Sequence, residues 1–123
     1  MEDSDSVGCT VLVVDDEPDI RYLLRNTLEE AGYGVVEAAH GEAALEQVRR
    51  SHPQLVVTDW MMPRMNGGEL IERLRAEEST SVIPILIISS TRGERGGADA
   101  ALGKPFDLDE LIALVDKLTG MER

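Results

Sequence analysis

Four places in this chain set a polar or charged side chain at the end of an apolar run. Asp15 and Asp16 follow Val11-Leu12-Val13-Val14, Asp59 ends Leu55-Val56-Val57-Thr58, Ser89 ends Ile85-Leu86-Ile87-Ile88, and Lys104 follows Ala100-Ala101-Leu102-Gly103. If the runs are strands of one parallel sheet, these groups meet outside its carboxyl edge, where open α/β sheets bind ligands. Three carboxylates brought within a few ångströms repel one another, and a shared cation relieves the repulsion. Oxygen donors select a hard cation, and Mg²⁺ is the expected one where phosphate is also handled. Lys104 adds a compact positive charge and Ser89 a hydroxyl, both suited to the oxygens of a phosphoryl group on Asp59. A carboxylate is a competent nucleophile toward activated phosphorus and forms an acyl phosphate. Charge on the equatorial oxygens then asks little of the protein beyond metal and lysine.

The elements that must carry these groups follow from periodicity. Thr10–Val14 reads as a strand, and Pro18 suits the first turn of a helix, where its missing N–H costs nothing. Acids at that end also suit the helix dipole, so Asp15-Asp16 taken alone fits a plain helix start. Ile20, Leu23, Leu24, Thr27, Leu28 and Ala31 recur at helical spacing, with Gly32 as the stop. Val35–Ala38 is a brief second strand, Gly41–Ser51 a helix ended by Pro53, and Leu55–Asp59 a strand buried on both faces. A short helix carrying Leu70, Ile71 and Leu74 follows Asn66-Gly67-Gly68. Pro84 precedes the most apolar run, and Asp107 caps a last helix whose inner face is Leu108, Leu111, Ile112, Val115 and Leu118. Strand and helix alternating in this way call for an α/β fold, a parallel sheet covered on both faces. His40 and His52 read as surface loop residues, Trp60 as a half-exposed neighbour of the site that reports metal binding, and Met61, Met62 and Met65 as loop packing.

Thr91–Ala98 breaks the alternation. Its three glycines disfavour a helix by about 1 kcal/mol each relative to alanine, and no apolar stripe offsets that cost. The expectation is a loop, or at most one helical turn.

Composition limits the function. The 123 residues fit one domain, with residues 1–8 as a flexible lead-in, 9–119 as the folded unit and 120–123 as a tail. A net charge of −12 argues against gripping nucleic acid or an anionic membrane and favours a divalent cation or a basic partner surface. Cys9 is the only cysteine, so no intrachain disulfide forms, which fits a reducing cytoplasmic setting. Met1–Val7 shows no apolar signal core and no basic leader, and no run is long enough to span a membrane.

Together the motifs resemble the receiver domains of two-component response regulators, in particular the single-domain, chemotaxis-regulator-like kind. The residues that carry the resemblance are Val13-Val14-Asp15-Asp16-Glu17-Pro18, Asp59-Trp60-Met61-Met62-Pro63 with Met65 and Gly67, Ser89, Gly97-Ala98-Asp99 and Lys104-Pro105-Phe106. The resemblance implies a flavodoxin-like, doubly wound five-stranded parallel sheet of order 2-1-3-4-5. It implies that Asp59 accepts a phosphoryl group from a sensor histidine kinase or a histidine phosphotransfer protein, and that a downstream protein reads the result. It further implies that Asp16, Asp59 and the Met61 carbonyl hold Mg²⁺ directly, with Asp15 acting through water. Lys104 would contact the phosphoryl group and pair with Asp59, Ser89 would be the switch hydroxyl, the Met61 and Ser90 N–H groups would complete the cradle, and the bond before Pro105 would be cis.

Two features depart from the pattern. The position three before the lysine, where the family carries an aromatic, is Ala101, and Lys104 follows Ser89 by only fifteen positions, which shortens or deletes the fourth helix of the family. The site chemistry is kept while the usual output face is altered. Three other readings stay open on the sequence: the receiver fragment of a longer regulator, a pseudo-receiver binding by protein contacts alone, and a Mg²⁺-dependent phosphatase using an aspartyl phosphate. The last usually carries Asp-x-Asp after its first strand, whereas here the first strand ends in adjacent acids and the nucleophile follows the third.

Overall fold

β-branched and Leu-rich runs form strands here because both faces of each run find apolar partners. The computed structural model describes residues 9–90 and 95–121. The elements are β1 (Thr10–Val14), α1 (Pro18–Glu30), β2 (Gly34–Ala38), α2 (Gly41–Ser51), β3 (Leu55–Asp59), α3 (Gly67–Ala76), β4 (Ile85–Ser89), β5 (Ala100–Gly103) and α4 (Leu108–Thr119). All strand pairs are parallel, in the order β2-β1-β3-β4-β5. The expected 2-1-3-4-5 sheet is therefore the one observed.

Alternation along the strands splits the core in two. Leu12, Val14, Val56, Ile85 and Ile87 face α2 and α3, meeting Ala44, Leu45, Val48, Leu70, Ile71 and Leu74. Val11, Val13, Leu55, Val57, Leu86, Ile88 and Leu102 face the other way, toward Leu24 and Leu28 of α1 and Leu111 and Val115 of α4. Each such aliphatic side chain, fully buried, stabilises the fold by about 2 kcal/mol. Aromatic residues add little; Tyr33 alone is deeply buried, its hydroxyl bonded to Asp116 of α4. Among the described residues no helix is long and apolar enough to cross a membrane.

Among the described residues, four helices rather than five cover the sheet. Between β4 and β5 the described residues 95–99 hold only a turn at Gly96-Gly97, as the glycine content predicts; the first half of the Thr91–Ala98 loop, the lead-in 1–8 and residues 122–123 lie outside the described residues. Side chains tie down the described part of this connection. Arg75 of α3 donates to the carbonyls of Ser81 (2.8 Å) and Ile83 (2.7 Å) and to Asp99 Oδ2 (2.9 Å). The same Asp99 oxygen accepts the Ile85 N–H at 2.8 Å, locking the loop to the start of β4. On β5, Ala101 and Gly103 stand exposed, so the strand presents no large apolar group that a missing helix would have to cover.

Candidate functional site

Parallel register decides which strand ends meet. Val14 is level with Thr58, so Asp15 comes level with Asp59, and Asp59 itself lies level with Ile88. Ser89 is level with Gly103, and the Lys104 N–H donates to the Ser89 carbonyl at 2.9 Å. One carboxylate oxygen from each of Asp15, Asp16 and Asp59 lies within 4.8 Å of the others. Asp15 and Asp59 are buried and Asp16 is exposed. Lys104 Nζ stands 3.4 Å from Asp59 Oδ1.

The turn after β1 is built to aim these acids. Asp15 Oδ1 accepts the Glu17 N–H at 2.9 Å, an Asx-type turn that leads into Pro18 and α1. Burial pushes the Asp15 carboxyl up to about 6; the Glu17 N–H pulls it down, Asp59 pushes it up, Lys104 pulls it down and Asp16 pushes it up. A carboxyl held near neutrality by desolvation and like charge gains most from an added cation.

The loop after Asp59 is equally constrained. The Gly67 N–H donates to the Trp60 carbonyl at 2.8 Å, and Asn66 and Glu69 form a reciprocal capping box, both bonds 2.9 Å, that starts α3. Arg64 sits at φ 70, a conformation that costs a non-glycine residue energy and marks a tightly specified turn. Trp60 is half-buried, its ring over Gly68 and near Gly96. The peptide bond between Lys104 and Pro105 is cis, as expected.

The structure thus brings Asp15, Asp16, Asp59 and Lys104 together, with Ser89 buried one strand from Asp59 and Met61 and Ser90 in the loops of the same edge. Two expectations fail: Leu108, expected on the inner face of the last helix, stands exposed at its first turn, and Met61 does not pack. Met62 takes the core position against α2 and α3, which turns the neighbouring Met61 side chain out to 62% exposure. His40 and His52 do lie at the surface, and His40 has a task the sequence did not disclose. Its Nδ1 accepts the Ala43 N–H at 3.2 Å and caps α2.

Also missed was a charged group behind the acids. Arg21 Nη1 donates to the Asp15 carbonyl at 2.6 Å, and Arg21 Nε to Glu37 Oε1 at 3.1 Å. Glu37 Oε2 accepts from Arg25 Nη1 at 2.6 Å. Burial raises the Glu37 carboxyl, but the two guanidiniums outweigh it and leave it below its usual range. A cation in the first turn of a helix opposes the helix dipole, and that was the available signal.

This geometry has counterparts. A family model described as the response regulator receiver domain matches residues 11–116. The chain belongs to that family. The phosphate regulon transcriptional regulatory protein PhoB of Pseudomonas aeruginosa is 39% identical over 114 residues, covering 87% of this receiver domain and 50% of PhoB. Chemotaxis protein CheY4 of Vibrio cholerae superposes with a TM-score of 0.84 at 30% identity, covering 90% of this chain and 98% of that one. The receiver domain of the Pseudomonas aeruginosa sensor histidine kinase PA1611, solved with a magnesium ion in its active-site cleft, reaches 0.85 at 26% identity, covering 92% and 98%. The receiver domain spans half or less of the length of the curated relatives it matches.

Proposed function

We propose that this receiver domain takes a phosphoryl group onto Asp59 and that the phosphorylated state changes which protein it binds, making it a signalling module rather than a metabolic enzyme. One observation carries the reading: the buried Asp59 carboxylate lies at a strand end with two further carboxylates on one side and the Lys104 ammonium 3.4 Å away on the other. In the transfer, an Asp59 oxygen forms a bond to phosphorus while the phosphorus–nitrogen bond of a phosphohistidine breaks. The imidazole nitrogen leaves with the bonding pair and is protonated. Lys104 faces the oxygens that gain charge, and Ser89 offers a hydroxyl to them. The N–H groups of Met61 and Ser90 complete the cradle.

The donor set fits a hard divalent cation: three carboxylates converge, one of them held near neutrality by burial. Asp16, Asp59 and the Met61 carbonyl would hold Mg²⁺, with Asp15 acting through water. Bound there, Mg²⁺ supplies positive charge beside the transferring phosphoryl group.

The phosphodonor in this reading is a sensor histidine kinase or a histidine phosphotransfer protein, the setting is the cytoplasm, and the working unit is residues 9–119. Net charge of −12 disfavours direct contact with nucleic acid, so a protein reads the output. A second arrangement is favoured by the coverage of PhoB at 50%: the same domain governing an attached output portion. The length of the full reading frame separates the two.

Intact mass after incubation with acetyl phosphate tests the reading. A gain of one phosphoryl group that requires Mg²⁺ and is lost in Asp59→Asn supports it. No gain in folded protein leaves the pseudo-receiver as the better account.

A further inference from the structure

We propose that Arg21 is a positioning residue for the Asp15–Asp16 turn, held in place by Glu37, and that it sets the affinity of the pocket for a divalent cation. The inference rests on the reading of the pocket given above.

A guanidinium beside a cation site is at first sight an error, because its charge repels the cation. Two observations remove the conflict. Arg21 points at the Asp15 carbonyl and not at the carboxylates, with Nη1 2.6 Å from that oxygen. Its charge is balanced within a network: Glu37 divides its two oxygens between Arg21 and Arg25, and Arg25 also pairs with Glu29. The pocket therefore meets a network of two guanidiniums and two carboxylates, neutral as a whole, that contributes direction and little field.

The direction is specific. Asp15 uses its N–H toward the Ala38 carbonyl at 3.2 Å, its Oδ1 toward the Glu17 N–H at 2.9 Å and its carbonyl toward Arg21. Removal of the third contact frees the peptide between Asp15 and Asp16 to rotate, and both carboxylates hang from that peptide. The support is itself built into the fold. Arg21 and Arg25 are four residues apart and so share one face of α1, while Glu37 sits on β2 level with Val13, two residues before Asp15. A helix, two strands and one turn meet at this carboxylate. Outer partners of this kind orient metal ligands, and their loss typically costs about 10–100-fold in metal affinity.

The test is calorimetric titration of Mg²⁺ into the wild type and variants, with amide exchange at Asp16 and Glu17 in EDTA as a readout that needs no metal. Arg21→Ala is expected to bind Mg²⁺ about tenfold more weakly and to exchange faster at both amides, with labelling by acetyl phosphate restored at high Mg²⁺. Arg25→Ala, which leaves the carbonyl contact intact, is expected to stay within about twofold. Glu37→Gln keeps an acceptor for Arg21 but leaves its charge unmatched, and is expected to weaken Mg²⁺ as well. In Arg21→Ala that effect is expected to vanish, since the pair acts as one unit. Should Arg21→Ala fail to fold, Arg21→Lys serves, since an ammonium replaces one of the two contacts only; several-fold weaker binding is expected. A folded Arg21→Ala or Arg21→Lys protein with wild-type affinity and exchange overturns this inference alone. A wild type that does not bind Mg²⁺ overturns the pocket reading and this inference with it.

Discussion

Lys104 Nζ lies 3.4 Å from Asp59 Oδ1, a partly exposed ammonium reaching a buried carboxylate from the far end of β5. Among the described residues it is the only cation in an ion pair with one of the three clustered acids. Its removal is expected to have two separable effects. Lys104→Ala slows labelling of Asp59 by acetyl phosphate by at least about tenfold, since a donor aimed at the developing charge is lost. It does not weaken Mg²⁺ binding, because one positive charge leaves the neighbourhood. Labelling rates at saturating Mg²⁺, set beside a calorimetric affinity, check both halves.

Asp15 predicts how stability varies with pH in the absence of divalent metal. Its carboxyl titrates near 6 in the folded protein against 3.8 as the ordinary value, burial being the main cause, with Asp59 and Asp16 adding to it and Lys104 opposing. A raised acid means that the folded state holds the proton more tightly than the unfolded one. The contribution is therefore fully favourable below 3.8 and is lost as pH rises through 6, a change of up to about 3 kcal/mol. Urea unfolding in EDTA from pH 4.5 to 7.5 is expected to show wild type losing stability relative to Asp15→Asn. Saturating Mg²⁺ at pH 7.5 is expected to remove the difference.

Much of this was legible before the structure. The strands announced themselves as aliphatic runs, and each run delivered its polar group at its carboxyl end, so Asp15, Asp59, Ser89 and Lys104 could be placed on one edge. The glycines of the short loop correctly excluded a helix over the described residues 95–98. What was not legible depends on contacts across sequence distance. Arg21 meets Glu37 sixteen residues away, and Arg75 meets Asp99 twenty-four away; neither pairing leaves a periodic trace. Adjacent Met61 and Met62 have the same composition signal and opposite fates, because only one of two neighbours can turn into the core.

Arg75 carries the second stability prediction. Its guanidinium serves four acceptors on two segments, the carbonyls of Ser81, Ile83 and Gly97 and the Asp99 carboxylate that also holds the Ile85 N–H. Arg75→Ala is expected to cost about 1–3 kcal/mol, the range for losing charge-assisted bonds and leaving carbonyls short of a donor. Arg75→Lys is expected to recover little, since a single ammonium lacks the planar fork that reaches two segments. Denaturant midpoints of the three proteins check this. A loss confined to Arg75→Ala, with Lys fully restoring, would show that charge and not geometry holds the short loop.

Gly67 ties the start of α3 to Asp59 itself. A Cβ there would lie 2.8 Å from the Asp59 carbonyl oxygen and 2.9 Å from Trp60 Cα, both backbone atoms that cannot swing away. The Gly67 N–H also closes the loop by donating to Trp60 at 2.8 Å, so relief requires α3 to shift or that bond to lengthen. Gly67→Ala is therefore expected to destabilise by about 1–3 kcal/mol or more and to move Asp59 relative to Asp15 and Lys104. Gly103, also at the carboxyl edge, has its nearest neighbour 3.9 Å from an added Cβ, and Gly103→Ala is expected to stay within about 0.5 kcal/mol. Labelling measured on folded protein separates stability from aim. If the clash is absorbed by α3 alone, Gly67→Ala is less stable but labels at the wild-type rate; if it reaches Asp59, the rate falls while Gly103→Ala stays unchanged. The backbone position of both close atoms predicts the second result.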